Sequence, residues 1–376
     1  MLLTRASTVT AGVAFTLGAL LLVSGCKVSV NAAPAASAKT SAAAHHARET
    51  SARHNSPARK SPARKSPAHK SPARAPKQAD ALIIEPSASF SPVYSVIDHA
   101  RHSIDVTMYE FADTTAEGDL AAAAKRGVQV QVILDQREAS ENQAAYKYFG
   151  AHGIKVVWSS SAYQYTHQKT LIIDGSEAVI MTANLTSQYY ATSRDFAVTD
   201  TSRSDVAAIT AVFNADFAHR SVTPGDGADL VWSPTDSQGK LLGLINGATK
   251  SLRIYSEEMG DTVVENALIA AAKRGVDVQV CGENENGEYN SAYGRLAKAG
   301  VHISYYDSPS GFYIHGKVIE ADFGTSHARA FIGSENFSST SLNRNRELGL
   351  ITSAPAILSA IAGTFAGDFQ RGTHWS

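Results

Sequence analysis

Cysteine is nearly absent: Cys26 and Cys281 are the only two in 376 residues, which excludes a disulfide scaffold. Neither CxxC nor HExxH occurs, and four of the thirteen histidines (His45, His46, His54, His69) fall in a strongly polar stretch. No metal constellation and no cofactor motif is therefore expected. Long apolar runs are also missing, and the one that ends at Val23 is short for a membrane span. Large apolar side chains are almost absent from residues 28–79, where SPARK-like repeats run from Ser56 to Arg74. Such a segment cannot bury a core and is expected to be disordered. Finally, excess positive charge is lacking where a core can form. Residues 81–376 hold 22 basic and 33 acidic side chains, whereas residues 27–80 hold eleven basic against two acidic. An acidic body binds nucleic acid poorly unless the basic groups are gathered into a cleft.

What is present begins with Arg5, an apolar stretch and Val23-Ser24-Gly25-Cys26, which resembles a bacterial lipobox. It implies a signal peptide over 1–25, a lipidated Cys26 and an extracytoplasmic, membrane-anchored protein of the cell envelope. Residues 26–80 then form a basic linker, a spacer whose cations could also touch anionic lipid. Cys281, after VDVQV, is expected to be a buried core thiol.

Beyond residue 81 the chain is a duplication. THQKTLIID, Thr166 to Asp174, returns as IHGKVIEAD, Ile314 to Asp322, so His167, Lys169 and Asp174 match His315, Lys317 and Asp322 at an offset of 148 residues. LAAAAKRGVQVQV from Leu120 answers LIAAAKRGVDVQV from Leu268 at the same offset. After the motif aspartates the offset becomes 152, four residues being added within FGTSHARAF. Strand and helix patterns alternate in each half, which predicts layered α/β domains over 81–222 and 226–376, with the turn-rich VTPGDG between them. TLIID and KVIEA have the look of strands, so histidine and lysine, two apart, share a face. If the halves pack about a pseudo-two-fold axis, two imidazoles and two ammonium groups converge on one point. That set suits a phosphodiester: lysines neutralise the non-bridging oxygens, one imidazole attacks phosphorus and the other protonates the leaving oxygen.

At these residues the chain resembles the phospholipase D superfamily, in which HxKxxxxD is followed by a GSxN-type segment. The second copy reads Gly333, Ser334, Glu335, Asn336, with Glu347 eleven positions later; the first reads Met181, Thr182, Ala183, Asn184, with Asp195 eleven later. The resemblance implies two α/β sandwich domains with the active site between them, His167 as nucleophile, His315 as general acid, and Asn184, Asn336 and Ser334 on the phosphate, Thr182 standing in for the serine of the first copy. Each histidine needs a group that fixes its tautomer. The candidates are Asp174 and Asp322 or Asp195 and Glu347, and the resemblance favours the later acids. Met181, in the glycine position, is expected to alter the substrate pocket. Tyr109, Glu110, Glu257 and Glu258 end strands that should face the same mouth, and Tyr163, Tyr165, Phe312 and Tyr313 could rim it.

The function this implies is release of a phospholipid headgroup, by water or by exchange with an alcohol, through a phosphohistidine, in a monomer that is its own pseudo-dimer. A nuclease of the same superfamily is the alternative, although the acidic body disfavours nucleic acid. A surface-binding lipoprotein without turnover is the third reading.

Overall fold

A computed structural model of the chain describes residues 81–376. Cys26, the expected signal peptide and the basic linker lie outside the described residues.

Strands Leu82–Ile84 (β1), Ser103–Met108 (β2), Gln129–Leu134 (β3), Lys155–Trp158 (β4), Thr170–Ile173 (β5), Glu177–Met181 (β6) and Phe196–Asp200 (β7) form one sheet, ordered β1-β7-β6-β5-β2-β3-β4. The second sheet repeats that order with Leu230–Ser233 (β8), Ser251–Ser256 (β9), Asp277–Glu283 (β10), His302–Tyr306 (β11), Val318–Ala321 (β12), Arg329–Gly333 (β13) and Glu347–Thr352 (β14), and adds Thr373–His374 (β15) beside β11. In each, two strands run parallel to the central one (β2 or β9) on one side and antiparallel strands fill the other. The four added residues lengthen the β12–β13 connection, which runs over Asp322 to Ala328 where β5 and β6 need only Asp174 to Ser176.

Helices Ser91–His99 (α1), Thr114–Lys125 (α2) and Ala139–Ala151 (α3) cover the outer face of the first sheet, and Ser237–Gly247 (α5), Thr262–Lys273 (α6) and Asn290–Lys298 (α7) that of the second. Period-two alternation sorts each strand between layers: in β6, Val179 and Met181 enter the outer core while Ala178 and Ile180 enter the shared one. That shared core lies between the sheets, with α4 (Arg203–Phe217) and α9 (Pro355–Arg371) contributing Phe213 and Phe365. Burying one such side chain contributes about 1.5–3 kcal/mol, and this apolar contact holds the halves together. Cys281 is a free, buried thiol in it. The cap of α2 is Asp113, whose carboxylate accepts from Thr115 N and Ala116 N at 2.9 and 3.1 Å; Asp261 repeats this for α6. No helix among the described residues is long and apolar enough to cross a membrane.

Candidate active site

Thr170–Ile173 and Val318–Ala321 are strands as their composition implies, while His167 and Lys169 stand just outside β5, in the extended segment that leads into it. The reason is where their backbone finds partners. Arg346 N donates to Tyr165 O at 2.8 Å and Gln168 N to Arg346 O at 3.0 Å, so this segment pairs with the other half of the molecule. In the second half, Tyr313 and Ile314 pair in parallel with Ser193 and Arg194 in the same way. Each entry segment is also fixed from within its own half. Asp135 Oδ2 accepts Thr166 N at 2.5 Å and Glu283 Oε2 accepts Ile314 N at 3.0 Å. The extended backbone still puts histidine and lysine on one face. Lys169 Nζ donates to His167 O at 2.7 Å and Lys317 Nζ to His315 O at 2.6 Å, and both lysines are fully buried.

The acids are exchanged between halves. Nδ1 of His167 meets Glu347 Oε2 at 2.8 Å, and Nδ1 of His315 meets Asp195 Oδ1 at 2.7 Å. A proton on Nδ1 donated to the carboxylate leaves Nε2 of each ring free to face the site. Glu347 is held in turn by Ser341 Oγ at 2.5 Å and Asn345 Nδ2 at 2.9 Å, and Asp195 by Thr182 Oγ1 at 2.6 Å. Thr182 thus braces an acid, not a phosphate.

Just before each acid stands an arginine that clamps the opposite half. Arg194 Nε and Nη2 donate to Asp368 at 2.6 and 3.0 Å; Arg346 meets Asp216 at 2.9 Å through Nε and 3.1 Å through Nη2. Asp216 and Asp368 lie at matching positions of α4 and α9, each the fourth residue of a matching pentapeptide, FNADF from Phe213 and FAGDF from Phe365. Sequence reasoning missed these four residues, although they keep the 152 offset.

Other expected site residues lie elsewhere. Asp174 accepts backbone N–H groups from Arg101, His102 and Ser103 at 2.6–3.1 Å, and Asp322 does the same for Thr249, Lys250 and Ser251 at 2.6–3.2 Å. Both have positive φ, near 55°, which aspartate tolerates in a turn. They tie the end of the motif strand to the start of the central strand, and their assignment to catalysis is corrected to a structural one. Ser334, buried in β13's extension, exchanges its hydroxyl with Leu348 O and N at 3.4 and 3.2 Å, so the structure does not give it to substrate. Met181 points into the first half's core, away from any pocket. Asn184 and Asn336 pair with the acids that follow the central strands. Each donates one amide hydrogen at 3.0 Å, to Glu110 and Glu258 respectively, and keeps a second for a ligand.

Of the aromatics, Tyr163 packs its ring 4.3 Å from the Arg346 guanidinium and Phe312 lies 5.4 Å from that of Arg194. These two belong to the clamps. Tyr165 stands edge-on to Tyr109 at 5.9 Å, and Tyr313, partly exposed, stacks beside His315 at 6.0 Å.

One matched position beside the histidines changes charge between the halves. In the first, the Tyr109 ring lies 4.5 Å from the His167 ring and 4.8 Å below Lys169 Nζ. In the second, 148 residues on, Glu257 takes that place. Its Oε2 is 2.5 Å from Lys317 Nζ and its Oε1 is 3.6 Å from His315 Nε2. Burial lowers the pKa of His167 and outweighs the pull of Glu347. Burial, then Lys317, pushes Lys169 down to about 7. Glu257 is held well below the ordinary carboxylate range, since His315 and Lys317 overcome the effect of burial, whereas burial and Glu257 push Glu258 up to about 7. The arrangement offers one imidazole whose charged form burial disfavours, one imidazole between two carboxylates, and two buried lysines.

A family model described as cardiolipin synthase, phospholipase D-like domain, matches residues 93–217 and again 241–369. No curated protein matches the chain. Among solved structures the chain is similar to phosphatidylserine synthase from Haemophilus influenzae Rd KW20, at 10% identity and a TM-score of 0.61 over 78% of this chain and 86% of that one. Polyphosphate kinase from Porphyromonas gingivalis is similar at 17% identity and a TM-score of 0.60, over 77% of this chain; this chain spans only 50% of that kinase. A third, the phospholipase D family member Nuc from Salmonella typhimurium, is matched at 22% identity over 39% of this chain and 99% of its own, with a TM-score of 0.35. At these identities the first two likenesses speak for the fold.

Proposed function

The chain belongs to the phospholipase D-like domain family, and from that premise we propose that it is a phospholipid phosphodiesterase working through a phosphohistidine. The observation that carries the reading is the pair of histidine–lysine sets with crossed acids. Nε2 of His167, neutral because burial disfavours its charged form, attacks phosphorus. The bond from phosphorus to the headgroup oxygen breaks, and His315 gives that oxygen its proton. Water, or an alcohol, then loses a proton to His315 and attacks phosphorus, and the bond to His167 breaks. Lys169 and Lys317, with Asn184 and Asn336, hold the non-bridging oxygens as charge accumulates. Water gives phosphatidic acid; an alcohol gives a new headgroup.

A lipid substrate is supported by the acidic balance of residues 81–376 and by the lipobox-like VSGC at Cys26, which would anchor the enzyme on the extracytoplasmic face of a membrane. The test is headgroup release from mixed phospholipid vesicles in EDTA, beside His167→Ala and His315→Ala. Release that both variants abolish is expected. Cleavage of single- or double-stranded DNA with lipid left intact would make this chain a nuclease, and no reaction on either would leave a binding role.

A further inference from the structure

Behind Glu257 lies a cavity of about 290 Å³ lined by five glutamates, Glu257, Glu258, Glu283, Glu285 and Glu288, and by Tyr313. Tyr313 donates its hydroxyl to Glu257 Oε1 at 3.0 Å, so the ring and the carboxylate form one wall between the cavity and His315. Glu283 and Glu285 are bound to backbone N–H groups of Ile314 and Ser308, and Glu258 to Asn336, while Glu257 faces Lys317. Among the residues lining the cavity there is no cation, and no group of His, Cys, Asp and Glu among the described residues is arranged to hold a metal ion. The first half has a different mouth: the uncharged ring of Tyr109 replaces Glu257, and Arg137 lies 6.0 Å from the ring of Tyr165.

This asymmetry has a direction. The negative wall stands on the side of His315, where the leaving oxygen must sit to receive its proton; burial pushes Glu258 up to about 7 and Glu283 up to about 8, so an anion brought there meets the like charge of Glu257 first, with Glu285 and Glu288 behind it. Glu257 also cancels one of the two lysine charges, so the centre suits a phosphate that carries a single charge. We propose that Glu257 and the cavity behind it select the leaving group: a small alcohol that is neutral or positively charged is admitted, and anionic groups such as a second phosphate are turned away. Lys317 exchanges Glu257 for the phosphate when substrate enters, and the freed carboxylate faces the leaving group. The inference rests on the proposed reaction for which bond breaks and for His315 as the acid that protonates the leaving oxygen.

The test measures binding to the full chain carrying His167→Ala, so that nothing turns over, by calorimetry with glycerophosphocholine, glycerophosphoglycerol and inorganic pyrophosphate. The expected order is that in which they are named, with at least a tenfold margin between first and last. Glu257→Gln, which keeps the shape, and Glu257→Tyr, which copies the first half, should each shrink that margin at least tenfold, whereas Glu288→Gln on the exposed far wall should shrink it less. An unchanged margin in both Glu257 variants, or no binding of any of the three, overturns the inference. Turnover is scored separately on phosphatidylethanolamine vesicles with the unsubstituted protein. Absent release with the binding order intact would defeat the proposed reaction and leave the selection standing.

Discussion

Glu347 acts on catalysis through a single hydrogen bond, which makes it separable from everything else it touches. Glu347→Gln keeps the volume and an acceptor but removes the charge that pulls the pKa of His167 upward. The variant should lose roughly 10²- to 10⁴-fold in kcat, the range seen when an orienting carboxylate is neutralised. The acid limb of kcat/KM should also move to lower pH, because His167 without its carboxylate gives up its proton more readily. A limb that stays in place would show that Glu347 is not the partner of the titrating nucleophile. Asp174 is the contrasting case. Asp174→Asn tolerates the same positive φ but gives up charge-assisted bonds to three backbone N–H groups. A loss of about 1–3 kcal/mol is expected, with kcat/KM unchanged at temperatures where the variant is folded. Burial acts to raise this carboxyl, but the N–H groups of Ser103, His102 and Arg101 bring it below the ordinary value of an aspartate. Its stabilisation is therefore complete above the unfolded pKa, near 3.9, and fades as pH falls through the folded one. Wild-type and variant denaturation curves should converge on acidification; a gap that does not narrow as pH falls below the unfolded pKa, or a lowered kcat, would contradict the structural role.

At the scale of elements, the link that matters runs from the last helix of each half, through an arginine and an acid of the other half, back to the histidine of its own half. Asp368 in α9 is fully buried with Arg194 and Tyr255 Oη bound to it, and Arg194 is adjacent to Asp195, the acid that holds His315. Asp368→Asn leaves a buried guanidinium short of its counter-charge, a loss of about 3–5 kcal/mol for a broken buried pair. It should lower kcat as well, since the strand entry carrying Asp195 loses its anchor. Asp216→Asn should repeat the effect through Arg346 and Glu347. Urea midpoints and kcat measured well below the transition separate the two effects; stability that falls while kcat holds would mean the clamps only hold the halves together. This exchange between halves marks the limit of what the sequence makes legible. The duplication, the strand–helix alternation and the two histidine–lysine sets could be read because each leaves a periodic trace along the chain. Which acid faces which histidine could not, because a repeat identifies matching positions and is silent about packing across an axis. The same gap hides what holds the segment before β5: its partner is Arg346, 180 residues away from Thr166 in the chain. Asp174 was drawn toward the chemistry by its place in a motif, when a turn needing a left-handed residue with a carboxylate accounts for it.

For the whole molecule the governing quantity is how charge is divided along the chain. Residues 81–376 carry a balance of −11 and residues 27–80 one of +9. A body of that sign approaching an anionic membrane is repelled beyond the contact distance, and salt relieves the repulsion, since the screening length falls from roughly 10 Å at 0.1 M to about 3 Å at 1 M. The basic segment acts in the opposite sense, each cation near the surface contributing about 1 kcal/mol of attraction that salt removes. Two proteins, residues 27–376 and residues 81–376, should therefore respond to salt in opposite directions on vesicles rich in phosphatidylglycerol. Between 50 and 500 mM salt, the longer protein should lose headgroup release several-fold as its tether is screened, and the shorter one should gain. On zwitterionic vesicles both should be nearly flat, because there is no surface charge to screen, which separates steering from any effect of salt on the chemistry. Parallel curves on the anionic vesicles would make the SPARK segment a spacer of fixed reach, and an inhibition by salt common to both proteins would place the sensitive charges in the catalytic cleft, at Lys169 and Lys317.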